Sequence, residues 1–98
     1  MNYVDDLAAA IRRQVPPHLL PSGDTSVLFR IYAVLVLAKG EDVRLADVHD
    51  AWAAWMSGRD PGHPSLVPFS ELPASVQSGD QPYLEAICTV ARERGRGP

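Results

Sequence analysis

Lysine is almost missing from this 98-residue chain: Lys39 stands alone against eight arginines, and Asn2 is the only asparagine. That bias, with abundant Ala, Val, Asp, Pro and Gly, marks a GC-rich coding sequence and speaks of the source more than of function. Cysteine is also scarce. With Cys88 alone no intramolecular disulfide can form, and a structural zinc site would need other ligands. In its apolar helical setting Cys88 reads as a small buried hydrophobe. A basic surface is lacking too. The net charge is −3, and Arg12-Arg13 and Arg92, Arg94 and Arg96 are few and mixed with acids, so a nucleic-acid partner is not expected. The longest strongly apolar run, Ala33 to Ala38, is far too short to span a bilayer. Asp5 and Asp6 stand where a signal peptide would carry basic residues. No membrane partner is expected, and the default location is the cytoplasm.

What is present fits one domain over residues 1–98, near the size at which a single core folds alone. The apolar share of 46% and charged share of 21% are those of an ordinary globular chain. Asn2 is placed to cap a first helix, with Asp5 and Asp6 in its first turn and Tyr3, Leu7, Ala10, Ile11 and Val15 at helical spacing. Pro16-Pro17 ends it. Asp24 or Thr25 caps a second helix, which ends at Lys39-Gly40. Its last turns are apolar on every side, which marks a buried central helix or one covered by a partner chain. A third helix is expected from about Ala46 to Ser57, with Gly58 just past its end. The glycines and prolines from Gly58 to Ser70 read as loop. Pro73 opens a single helical turn, and Asp80 caps a last helix with Tyr83, Leu84, Ile87, Val90 and Ala91 inward. The expected fold is mainly α, a compact four-helix domain with a long proline-rich loop between helices 3 and 4.

No catalytic set is visible. The histidines His18, His49 and His63 lie on three segments, without an HxxxH or HxH pair to chelate a metal. His49-Asp50 is a dyad in sequence only, because helical neighbours point about 100° apart. Trp52 is the first candidate for a binding role: an indole face stacks on planar heterocycles, although core packing accounts for it equally well. His49 and Met56 share its helical face at i−3 and i+4. Arg59, beyond the helix end, is either a solvated surface residue or a planar fork of donors for a phosphate. Trp55 is a second ring nearby. Leu66 and Phe69 read as inward anchors of the loop, and Tyr32 as a core residue with a wet hydroxyl.

The segments Leu45-Ala46-Asp47, Val48-His49-Asp50-Ala51-Trp52-Ala53 and His63-Pro64-Ser65-Leu66-Val67-Pro68-Phe69-Ser70-Glu71-Leu72 together resemble the ryanodine-receptor repeat domain. That family reads roughly leucine-alanine-acid, a histidine, two residues, tryptophan, then "HPxLVPYxxL" before a closing helix. The likeness covers about Leu45 to Arg94, so the chain divides into an N-terminal helical pair (1–44) and a repeat-like half (45–95). Gly58 to Gly62 is a shortened version of the family's longer loop. The chain also looks like small proteins of actinobacteria and their phages. What the resemblance implies is a pair of repeats about a twofold axis, the second supplied by another copy of this chain. An adenine nucleotide would lie between the tryptophan helices, stacked on Trp52 beside His49.

The expectation is therefore a non-enzymatic homodimer that binds or sequesters an adenine nucleotide or nucleotide-derived immune signal in a twofold cleft. Such a role would suit an anti-defence protein. Trp52 would stack the base, with His49, Trp55, Arg59 and Met56 around it, and neither a cofactor nor a metal is called for. The alternative is a protein–protein interaction module, a phage or host accessory protein, using the exposed part of the second helix and the Trp55 side.

Overall fold

Helix α1 (Tyr3–Gln14) starts where the Asn2 side chain accepts the Asp5 N–H at 3.0 Å. It stops where Val15 turns extended ahead of Pro16-Pro17. The computed structural model describes residues 2–95, so Arg96 and the end of the chain lie outside the described residues. A short 3₁₀ turn (Pro17–Leu19) leads toward α2 (Ser26–Lys39). There the Asp24 carboxylate accepts the Ser26 N–H at 2.9 Å. Thr25 holds the N-cap position with its side chain turned inward, where it accepts from Arg12 Nη1 at 3.2 Å. Gly40, with φ at +57°, closes α2 in a conformation that a side chain would strain.

Asp47 fixes the corner between α2 and α3 (Leu45–Arg59). Its carboxylate accepts from the Arg44 N–H at 2.8 Å and from Lys39 Nζ at 2.9 Å. Helix α3 runs past its expected end through Gly58 to Arg59. The last turn holds because the Arg59 guanidinium lies over the Trp55 ring, 4.7 Å from its centroid, one helical turn back. Arg59 Nη2 also donates to the Ser22 carbonyl at 2.7 Å.

From Asp60 to Pro68 the backbone passes through turns, and Phe69–Glu71 forms a 3₁₀ turn. After Pro73 come the single-turn helix α4 (Ala74–Gln77), a 3₁₀ turn (Ser78–Asp80) and α5 (Gln81–Gly95). Gln81 has helical angles, so these pieces are continuous and Asp80 lies within the run instead of capping α5. Pro73 sets the helical path about two turns earlier than an acid-capped start at Asp80 would, and the Gln77 side chain ties it down by donating to the Phe69 and Leu72 carbonyls.

Mainly α is what the described residues show: four helices of twelve residues or more, one single-turn helix, and no strand among them. The core draws on all four long helices, with Ile11, Leu28, Phe29, Tyr32, Ala33, Val48 and Ile87 essentially sealed from solvent. Helix α2 is the hub, packed against α1, α3 and α5. Its apolar circumference is covered on three sides only: Val27 and Val34 are each 53% exposed. Cys88 is half-buried rather than buried, and partial burial pushes its thiol up. Among the described residues, no helix is long and apolar enough to cross a membrane.

Candidate functional site

Helix α3 presents its two tryptophans to different neighbours. Trp52 faces the Asp60–Phe69 segment. His49 stacks beside it with ring centroids 5.7 Å apart and planes 25° apart, and His63 meets it edge-on at 5.0 Å and 81°. Phe69 closes the far side of His49 at 6.2 Å. His49 is 3% exposed, and its Nε2 donates to the Val67 carbonyl at 2.6 Å, which pins the segment to the helix. That bond fixes a hydrogen on Nε2, because a carbonyl can only accept.

Asp80 completes this cluster, and sequence spacing gave no sign of it. It is half-buried, and burial pushes its carboxyl up while His49 pulls the other way. Two phenols feel it as well. Tyr83 is pushed up by burial and by Asp80; Tyr32 is pushed up by burial first, then by Asp80 and Tyr83. Tyr32 is 1% exposed, so its hydroxyl is not the wet group its sequence setting suggests. His49, Trp52, Ser65, Val76 and Asp80 line a small, partly open cavity of about 80 Å³. That holds two or three water molecules at about 30 Å³ each, and lies well below the roughly 300 Å³ at which small-molecule sites begin. Ser65, His49 and Asp80 share this cavity without forming a nucleophilic relay. The His49 Nε2 hydrogen is spent on Val67, and among the described residues no hydrogen bond joins the three side chains.

Trp55 looks the other way, toward the start of α2. Together with Asp24, Val27, Ile31, Ala54, Gly58 and Arg59 it lines an open groove of about 550 Å³. Four of the five candidate residues thus fall into two places: His49 and Trp52 under the loop, Trp55 and Arg59 in the groove. Met56 is half-buried on the same helix. Arg59 is a structural tie as well as a possible donor, since Gly23 at φ +83° passes so close that an added Cβ would meet Arg59 Nη2 at 2.9 Å. Among the described residues, no three His, Cys, Asp or Glu side chains converge as a metal site would require.

A family model described as a domain of unknown function, DUF7701, matches residues 2–92. The chain belongs to the DUF7701 family. The DUF7701 match takes in both the N-terminal helical pair and the half containing α3 and the Trp52 cluster. No curated protein and no solved structure matches the chain.

Proposed function

We propose that this DUF7701 domain is a non-enzymatic protein–protein interaction module whose working surface is the outward face of α2 with the groove beside Trp55. One observation carries the reading. Val27, Ile31, Val34 and Ala38 follow one another at intervals of four, three and four residues along the open side of α2. That is the spacing of a two-helix seam, and it repeats on the outside of a helix whose inner side already packs the core.

The occupant assigned to this seam is a second copy of the chain. The seam is self-complementary: an antiparallel pair sets Val27 of one copy beside Ala38 of the other, and Ile31 beside Val34. A twofold axis crossing near the middle of α2 lays the Val34 region of one protomer beside the Val27–Ile31 groove of its partner, and the reverse. Light scattering at tens of micromolar is expected to give a dimer mass. Val34→Asp is expected to give a monomer, with the fold's stability unchanged to within about 0.5 kcal/mol. A monomeric wild type would remove this occupant.

A second reading is favoured by the pairing of Trp55 with Arg59 along one open groove. In a dimer across α2, both grooves flank the twofold axis, as the resemblance to ryanodine-receptor repeats implies for a nucleotide site. An adenine nucleotide, or a nucleotide-derived immune signal to be sequestered, would then stack at Trp55 rather than at Trp52. Calorimetry with adenine mononucleotides, cyclic dinucleotides and ADP-ribose derivatives tests it. Binding tighter than about 1 mM, lost in Trp55→Phe and kept in Trp52→Phe, would support this reading, and no binding would leave the interaction module alone.

A further inference from the structure

Helices α1 and α2 do not close fully on each other. Ala8 and Ala9 stand where longer side chains would fill the space between them, and a groove of about 330 Å³ runs there over the buried Phe29 ring. That volume falls within the range of small-molecule sites. Two guanidiniums border it. Arg12 Nη1 donates to the buried Thr25 hydroxyl oxygen at 3.2 Å, which holds the guanidinium over Phe29, 6.0 Å from the ring centroid. Arg30 Nε donates to Asp5 Oδ1 at 2.8 Å. Among the described residues each of these arginines spends one nitrogen on such a bond, which leaves its other two for a bound group. We propose that this groove binds a small monocarboxylate with an apolar body.

The walls select that class of ligand. A guanidinium already fixed through one nitrogen meets a carboxylate with the rest of its planar fork and loses little further side-chain freedom. Ala8, Ala9 and Phe29 take the apolar body out of water. The acidic neighbours set a limit on charge. Asp5 is held below the usual carboxylate range by Arg30, and Asp24 by Ser26 first and then by Arg12 and Arg30. Both carboxylates are therefore ionised and offset the two cations. The hydrogen bonds of the forks suffice for a singly charged group, whereas a phosphate dianion gives up far more hydration than this balanced set returns. An amine of the same shape would set its ammonium beside two guanidiniums. The start of α2 is not the seat of the anion, because Asp24 already accepts the Ser26 N–H. The groove shares no residue with the seam of Val27, Ile31, Val34 and Ala38, so its occupancy does not depend on the dimer.

The test is an NMR titration of the full chain at neutral pH with phenylacetate, set beside inorganic phosphate and benzylamine. Phenylacetate is expected to shift the amides around Ala8, Ala9, Arg12 and Phe29 and to saturate with a Kd of about 1 mM or tighter. Phosphate and benzylamine are expected to bind at least about tenfold more weakly. Ala9→Leu fills the groove with a good helix former and touches neither arginine, so the shifts are expected to vanish with Tm retained. Arg30 is exposed, so Arg30→Gln leaves the core intact and is expected to weaken binding about tenfold. Absence of saturable shifts up to about 10 mM phenylacetate would overturn the site. So would equal binding of phosphate or benzylamine, or wild-type affinity in either variant.

Discussion

Trp52 and Trp55 sit three residues apart on one helix, yet they anchor opposite kinds of structure. Trp52 is enclosed by His49 on its own helix and by a second imidazole, a phenylalanine beyond them and a half-buried carboxylate, these last three supplied by chain that follows α3. Trp55 is bordered by one guanidinium and by the start of α2, which precedes α3, and beyond these it opens into a groove. The same residue type thus closes a small polar interior on one side and leaves a recessed surface on the other. Burial of a large ring is compatible with either use; the neighbours decide which.

The sharpest way to break this contrast is to remove each ring's partners in turn and compare the losses. Trp52→Ala is expected to cost about 3 kcal/mol, the low end for deleting an indole from a packed site, because the ring is only half-buried. Urea unfolding followed by circular dichroism reads it. If Trp55→Ala costs as much, the distinction between closed and open sides fails.

His49→Ala comes next, at about 2 kcal/mol. It removes a stacked ring and leaves the Val67 carbonyl without its donor. Proteolysis confined to the Asp60–Pro68 segment is expected in this variant before the helices are cut. Arg59→Ala is expected to cost less, about 1 kcal/mol, through the lost Ser22 tie and the bare Trp55 face. Arg59→Lys recovers little of it, because an ammonium lacks the flat fork that lies over a ring and reaches a carbonyl together.

Asp80→Asn is the smallest effect and the one with a sign to check. Burial holds the folded carboxyl above the unfolded carboxylate range, so ionised Asp80 opposes folding near neutrality and ceases to do so as pH falls. The substitution is expected to raise the unfolding midpoint slightly at about pH 7 and to make no difference near pH 3. Asp47 runs the other way. Its carboxyl is held below the ordinary range by Lys39 first and then by the Arg44 N–H, so its help is present near neutrality and lost in acid. Tm measured across that range in Asp80→Asn and Asp47→Asn separates the two.

The helices were legible because their signals are local. Asn2 caps α1, Gly40 stops α2, and the apolar spacing of α5 puts Ile87 and Val90 in the core. Gly58 misled because a glycine after a helical pattern is usually a terminator. Here a ring one turn back and a carbonyl from an earlier loop hold the next residue in the helix. Asp80 misled for a similar reason. An acid before an apolar-periodic stretch reads as a cap, but the helical path had already begun at Pro73, and its carboxyl is half-buried near His49. The division of the candidate site into two was not readable at all. Spacing put His49, Trp52 and Trp55 on one helix with Arg59 just beyond its end, and only the return of His63 and the approach of Ser22 show which side each one serves.

The connection between α1 and α2 carries a consequence for the order of events during synthesis. Two of its carbonyls are taken up by side chains made much later: Ser22 by Arg59, and Leu19 by the Tyr83 hydroxyl. The α1–α2 hairpin leaves the ribosome first, with local contacts that form quickly, but its link is fastened at Ser22 only once α3 is made and at Leu19 only once α5 has been translated. Completion of the fold therefore waits on the last quarter of the chain, and truncation ahead of Tyr83 would leave the hairpin's connection held at Ser22 alone, with the Leu19 carbonyl unfastened.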